Sequence, residues 1–265
     1  MARAGAEGTG FVEVDGRRLE YRMVGPAPGD GPVIVLLHEG LGCVALWRDF
    51  PERLAAATGM GVFAYSRAGY GQSDSRPLPW PLDYMTREAR EVVPGVLNAV
   101  GAEQVVLMGH SDGATIAAIH AGQVRDARVR GVILMAPHFF TEPVGLAAIA
   151  EAKRAYDAGG LRQRMAKYHR DPDNAFRGWN DAWLAEGFRE WNVAAAIDGI
   201  GVPVLAIQGE GDEYGTLAQI EEIEARANVP VERLILPDCG HAPQFDQPGA
   251  VLAAVGDFLS RRVAR

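Results

Sequence analysis

Cysteine is scarce in this chain: Cys43 and Cys239 are the only two, far apart and without metal-ligand spacing. Neither a disulfide framework nor a zinc site follows from such a pair, and a reducing cytoplasm suits it. No run of about 18 apolar residues occurs, as a membrane-spanning helix would need, and the first ten residues lack an apolar stretch of signal-peptide length. The chain therefore reads as soluble, unexported and cytoplasmic, after a loose start over residues 1–10. Excess positive charge is missing as well: 26 Lys and Arg stand against 34 Asp and Glu, for a net charge of −8. That balance gives no electrostatic reason to bind nucleic acid or an anionic membrane, and it favours neutral or cationic small ligands. No internal repeat and no low-complexity linker interrupts the 265 residues.

What is present is a chain of globular composition, 48% hydrophobic and 23% charged, long enough for one large domain with an insertion. Alternation around Asp15-Gly16 signals a hairpin with one wet face. Val33–Leu37 is a continuous apolar run, as expected of a strand buried on both faces of a parallel sheet, and residues 62–65, the apolar run from Val105 that ends in Gly109, residues 129–135, residues 202–207 and residues 231–236 also read as strands. Helical spacing lies between them: residues 47–58, ending at Gly59; residues 82–100, with Pro94 as a kink; residues 216–227; and a closing helix over residues 248–263. The alternation predicts an α/β fold, a mostly parallel eight-stranded sheet flanked by helices. From residue 138 to 198 the alternation stops in favour of helical, aromatic-rich composition. This predicts an inserted helical cap at 138–198 on a core made of 1–137 and 199–265.

The stretch that orders the chain is Gly109-His110-Ser111-Asp112-Gly113, at the end of an apolar run and before a run of small residues. A strand turning sharply into a helix leaves its apex residue strained and exposed, and glycines two positions to either side remove the bulk that would collide there. Ser111 then sits above the carboxyl end of the sheet, with the free N–H groups of the next helix facing any negative charge formed beside it. A serine hydroxyl needs a base, and the base needs an orienting acid. His241, just after the last strand, is the candidate base. Its competitors His38, His110, His120, His138 and His169 are weaker: His110 and His120 are expected to pack beside the elbow helix and His169 to face solvent on the cap. For the acid, Glu210, Glu213 and Asp238 compete with Asp212. Asp212 is preferred because it approaches from a separate strand end, whereas Asp238 would have to fold back within one short loop. The oxyanion of an acyl transfer needs two N–H donors; Asp112 and Gly40 are the candidates, and losing one costs on the order of 3 kcal/mol.

Five motifs in order, LLHEGLG, SRAGYGQS, GHSDG, QGEGDE and CGHAPQFDQP, resemble those of the α/β-hydrolase superfamily over nearly the whole chain. The resemblance implies a serine hydrolase that needs no cofactor or metal and cleaves a small carboxylic ester or related acyl compound. Within the superfamily, the Ser-Asp-Gly elbow is similar to that of biphenyl-hydrolase-like amino-ester hydrolases, whose Asp holds a substrate ammonium. Haloalkane dehalogenases are disfavoured, having Asp where this chain has Ser111. The oxyanion loop departs from the usual His-Gly, reading His38-Glu39-Gly40. A hydroxynitrile-type lyase on the same triad and a low-turnover ligand receptor stay open, as does a homo-oligomer.

Glu39, His138, Trp179 and Trp183 are the candidate substrate contacts. The other cap aromatics, Phe139, Phe140, Phe176, Phe188 and Trp191, serve equally well as packing anchors, and Arg67 and Tyr70 shape their loop. Cys43 and Cys239 read as small packing residues. Carboxylates on Glu39 and Asp112, flanking the two donors, would oppose an oxyanion unless paired or turned away. Either a substrate ammonium neutralises them, or Asp112 caps its own helix while Glu39 pairs with an arginine such as Arg67.

Overall fold

A computed structural model describes residues 7–263. Eight strands form one sheet: β1 Gly8–Val14, β2 Arg17–Val24, β3 Val33–Leu37, β4 Gly61–Tyr65, β5 Val105–His110, β6 Val129–Met135, β7 Val204–Gly209 and β8 Val231–Leu236. They lie in the order β1-β2-β4-β3-β5-β6-β7-β8, antiparallel where β2 meets β1 and β4 and parallel elsewhere. The sequence placed β7 two residues early. It also read residues 8–10 as part of a loose start; Gly8 to Gly10 pair instead with Met23 to Tyr21 of β2. The rest of that start, residues 1–6, lies outside the described residues.

Every residue of β3, β4 and β5 is buried. The two-residue period of a strand divides β3 between two apolar layers: Val33, Val35 and Leu37 pack on one face of the sheet and Ile34 and Leu36 on the other. After β3 the chain moves outward to β4, then returns to place β5 on the other side of β3. The carboxyl ends of β3 and β5 therefore flank a switch point, where open α/β sheets leave a crevice. The loop 38–42 and Ser111 emerge there.

Residues 84–100 depart from the simple kinked helix that the sequence suggests. The helix Tyr84–Arg87 widens into a π turn at Glu88–Val92 before α-helix Val93–Val100 resumes. Pro94 has no N–H and its ring crowds the carbonyl four residues earlier, and the wider turn just ahead of it relieves both problems. Between β6 and β7 the chain forms helices Pro143–Asp157, Gly160–Met165 and Pro172–Trp183, then two short 3-10 turns. Their aromatics pack largely on one another: Tyr156 on Phe176 with ring centres 3.8 Å apart, Trp183 on Phe188 at 4.6 Å, and Phe188 on Trp191 at 4.9 Å. No helix among the described residues is long and apolar enough to cross a membrane.

Candidate active site

Ser111 stands between β5 and helix Asp112–Ile119 with φ 54° and ψ −121°, a left-handed backbone that a side chain rarely adopts. Close packing on both sides forces this turn. A Cβ on Gly109 would lie 2.2 Å from the Gly113 carbonyl oxygen, and one on Gly113 would lie 2.0 Å from the Leu37 carbonyl oxygen. These obstacles are backbone, which cannot rotate away. Gly113→Ala is therefore expected to cost about 3 kcal/mol, lowering the melting temperature by roughly 10 °C. A wild-type melting curve for that variant would contradict the packing argument.

His241 follows β8, and its Nδ1 lies 2.9 Å from both carboxylate oxygens of Asp212, which follows β7. Asp212 also accepts from Tyr214 N at 2.8 Å, Gly215 N at 3.3 Å and Gln208 Nε2 at 2.7 Å. Burial pushes this carboxyl upward, but the His241 hydrogen bond and charge, aided by Tyr214 N–H, hold it below the ordinary aspartate range. Of the four carboxylates weighed from the sequence, Asp212 alone bonds to His241. With Nδ1–H donated to an ionised Asp212, the lone pair of the neutral ring is on Nε2.

His110 does more than pack beside its helix. Its Nε2 donates to the His241 carbonyl at 2.6 Å, tying the residue before Ser111 to the loop that bears the base. Its Nδ1 lies 3.1 Å from Gln244 Nε2 and 3.5 Å from Glu39 Oε2. Burial works against the Glu39 charge, yet the hydrogen bond and charge of His110 hold its carboxyl down at about 2.

The loop 38–42 is held by Arg67, which is buried. Arg67 Nη1 donates to the His38 carbonyl at 2.6 Å and Nη2 to the Glu39 carbonyl at 3.1 Å. The Glu39 carbonyl also accepts from His38 Nδ1 at 2.7 Å and Gly42 N at 3.1 Å. His38 Nε2 in turn accepts from Arg67 N at 3.0 Å, so the ring is neutral. The N–H groups of Gly40 and Asp112 donate to no group among the described residues.

The side chain of Asp112 is 1% exposed, its Oδ2 lying 3.8 Å from Arg67 Nη2 and accepting from Tyr84 OH. Trp183 Nε1 donates to Tyr84 OH at 2.9 Å. Burial raises the Asp112 carboxyl, and Arg67 and Tyr84 oppose that rise. Asp112 Oδ2 is thus held by Tyr84 and Arg67, and its Oδ1 bonds to no group among the described residues, so the side chain does not cap its own helix by a hydrogen bond. The arginine expected for Glu39 pairs with Asp112 instead, taking only the carbonyl of Glu39, while the Glu39 carboxylate faces His110.

Three of the candidate substrate contacts reach this place from residues 138–198. The ring of His138 lies 5.7 Å from that of His241 and edge-on to Trp183 at 5.4 Å. The Trp179 indole packs on Gly40, where a Cβ would come within 2.1 Å of its Nε1. His169 does not face solvent. It is buried, accepting from Gly71 N at 3.0 Å and donating to the Leu41 carbonyl at 3.1 Å, because the turn at Gly71 and the loop after β3 both need a polar partner there. The sequence reading missed Tyr84, Gln208 and Gln244 altogether, and it gave Arg67 a loop-shaping part and a pairing with Glu39 rather than with Asp112.

Burial, reinforced by the charge of nearby His241, lowers His138 from its ordinary value to about 3. In the unfolded chain this histidine titrates near 6.5. Between those values the unfolded state binds a proton that the folded state refuses, so stability falls on acidification by up to about 1.4 kcal/mol per pH unit. The contribution is complete above the unfolded value and is lost as pH falls toward the folded one. His138→Gln is expected to flatten the fall in urea midpoint from pH 6.5 to pH 4 (about 2.5 units) by one proton's share. An unchanged slope would mean that His138 is already protonated in the fold.

A strained serine, a carboxylate-bound histidine on a separate loop, and two free N–H groups occupy one edge of the sheet. A profile of the Alpha/beta hydrolase family matches residues 34–255. The chain belongs to this family. Among its relatives is a proline iminopeptidase of Heyndrickxia coagulans, 32% identical over 95% of this chain and 98% of that protein. Epoxide hydrolase A of Mycobacterium tuberculosis is 26% identical over 97% of this chain and 98% of its own length. Among solved structures, the enol-lactonase from Burkholderia xenovorans LB400 superposes with a TM-score of 0.74 at 21% identity, covering 95% of this chain and all (100%) of that one. The last likeness carries the fold of this α/β hydrolase and no more.

Proposed function

We propose that this α/β hydrolase is a serine hydrolase that cleaves a small carboxylic ester or related acyl compound through Ser111, His241 and Asp212. The observation that carries the reading is the bond of His241 Nδ1 to both oxygens of Asp212 at 2.9 Å, on the sheet edge where Ser111 stands strained. His241 Nε2 takes the Ser111 proton as Oγ attacks the carbonyl carbon, and Asp212 stabilises the imidazolium that forms. The N–H groups of Gly40 and Asp112 receive the oxyanion. The imidazolium protonates the departing oxygen, and the neutral ring then activates water against the acyl-enzyme.

The relatives act on different bonds, and the nucleophile favours acyl chemistry over epoxide opening. Attack of a serine oxygen on an epoxide carbon would leave an ether, which water and a histidine do not cleave. Attack on a carbonyl leaves an ester, which they do. We assign residues 138–198 to a cap over this edge, with His138, Trp179 and Trp183 facing the substrate together with Glu39. The buried free thiols of Cys43 and Cys239 suit a reducing cytoplasm, where we place the enzyme.

The test is labelling with a fluorophosphonate followed by peptide mapping, alongside release of nitrophenol from short acyl esters. Modification of Ser111 together with steady ester turnover is expected. Labelling without turnover on a broad ester panel would favour a ligand receptor, and release of cyanide from a cyanohydrin without ester turnover would favour a lyase.

A further inference from the structure

We propose that Arg67 is a positioning residue that aims and polarises both oxyanion donors; the proposal rests on the acyl-transfer reading above. The Gly40 N–H belongs to the same peptide group as the Glu39 carbonyl. A peptide group is planar, so fixing the direction of its C=O fixes its N–H in the opposite direction. That carbonyl accepts from three donors at once: His38 Nδ1 at 2.7 Å, Gly42 N at 3.1 Å and Arg67 Nη2 at 3.1 Å. One of the three carries a full positive charge. Drawing electron density onto the carbonyl oxygen leaves the amide N–H more positive, and bonds in such chains strengthen one another away from water. The second Arg67 bond, Nη1 to the His38 carbonyl at 2.6 Å, fixes the preceding peptide in the same way.

The other donor residue is held by the same guanidinium. Asp112, whose backbone N–H is the second donor, has its carboxylate 3.8 Å from Arg67 Nη2, and both side chains are at most 3% exposed. An uncompensated carboxylate there would oppose a developing oxyanion, and the guanidinium offsets that charge. A planar fork is needed for the work. Nη1 and Nη2 reach adjacent carbonyls while the guanidinium lies over the Tyr70 ring at 4.9 Å, an arrangement that a lysine ammonium cannot reproduce. Nothing in the catalytic scheme requires Arg67 to touch substrate; it acts through the two peptides.

The experiment compares wild type, Arg67→Lys and the double variant Arg67→Met with Asp112→Asn. The double variant removes both charges, so that no lone carboxylate is buried and the fold is protected. Active sites are counted by fluorophosphonate labelling run to completion. kcat per labelled site, KM, and affinities for a trifluoromethyl ketone and its methyl ketone are then measured. The fluorinated ketone forms an oxyanion adduct on the serine, and the methyl ketone reports ground-state binding. In the double variant kcat is expected to fall about 30-fold, and affinity for the trifluoromethyl ketone in parallel, with KM and methyl ketone affinity changed by less than about threefold. Arg67→Lys, charged but without the fork, is expected to lose about tenfold in kcat. Full kcat per labelled site in both variants would overturn the proposal, as would a fall in kcat with trifluoromethyl ketone affinity intact. Wild type that neither labels at Ser111 nor turns over esters would sink the acyl-transfer reading itself, and this inference with it.

Discussion

Ser111→Ala and His241→Ala are each expected to lower ester turnover by about 10⁴-fold or more, and the double variant to be little worse than either. The reason is mutual dependence. Without His241 the Ser111 hydroxyl keeps its proton and is a poor nucleophile at neutral pH; without Ser111 the histidine has no attacking oxygen to activate. What survives in each variant is binding and the N–H groups of Gly40 and Asp112, which serve whatever nucleophile remains. Both substitutions remove atoms without adding bulk, and Ser111 is only 7% exposed in a turn whose shape Gly109 and Gly113 impose, so the fold should persist. Single-turnover and steady-state rates of the three variants check this. Multiplying losses, with the double variant lower by the product of the two, would show that the residues act in separate steps.

The second large effect separates two aspartates. Asp212→Asn is expected to reduce kcat by about 10³-fold to 10⁴-fold, and Asp238→Asn to leave it within about threefold. An asparagine at 212 can present its amide N–H₂ to His241 Nδ1, which must then become the acceptor. The ring proton moves to Nε2, and the base is lost. Most of the local bonding survives the change: the new carbonyl still accepts from Tyr214 N and Gly215 N, and Gln208 loses one of the two bonds its Nε2 makes, keeping that to the Gly215 carbonyl. Asp238 has φ 52°, a conformation that asparagine tolerates well, which makes Asp238→Asn a mild control. Equal damage from both variants, or a reversed ranking, would move the acid to Asp238.

Residues close in sequence, or spaced by strand and helix periods, made much of this molecule legible. Continuous apolar runs marked the buried strands, Asp15-Gly16 marked the hairpin, and the glycines around Ser111 marked a turn that leaves no room for a Cβ. What stayed hidden was the pairing of polar groups across long separations. Tyr84 meets Asp112 from 28 residues away and Trp183 meets Tyr84 from 99, and no local pattern encodes either contact. Arg67 looked like a loop residue because its partners are mostly backbone carbonyls, which leave no trace in side-chain chemistry. His169 looked solvent-facing because a polar residue in a helical insertion normally is; its two backbone partners, at Gly71 and Leu41, become visible only when the chain is folded. The need for a cation beside these carboxylates was legible, and so was Arg67 as a source of it; what local sequence could not tell was that Arg67 pairs with Asp112 rather than with Glu39.

The most direct measurement is the mass of the protein caught during turnover. Wild type mixed with a short nitrophenyl ester and quenched in acid within milliseconds should carry one acyl group on the peptide containing Ser111, formed and lost at rates that account for kcat. Ser111→Ala should carry none. Steady ester hydrolysis without such an adduct, or an acyl group found on Cys239 or another residue, would contradict the account.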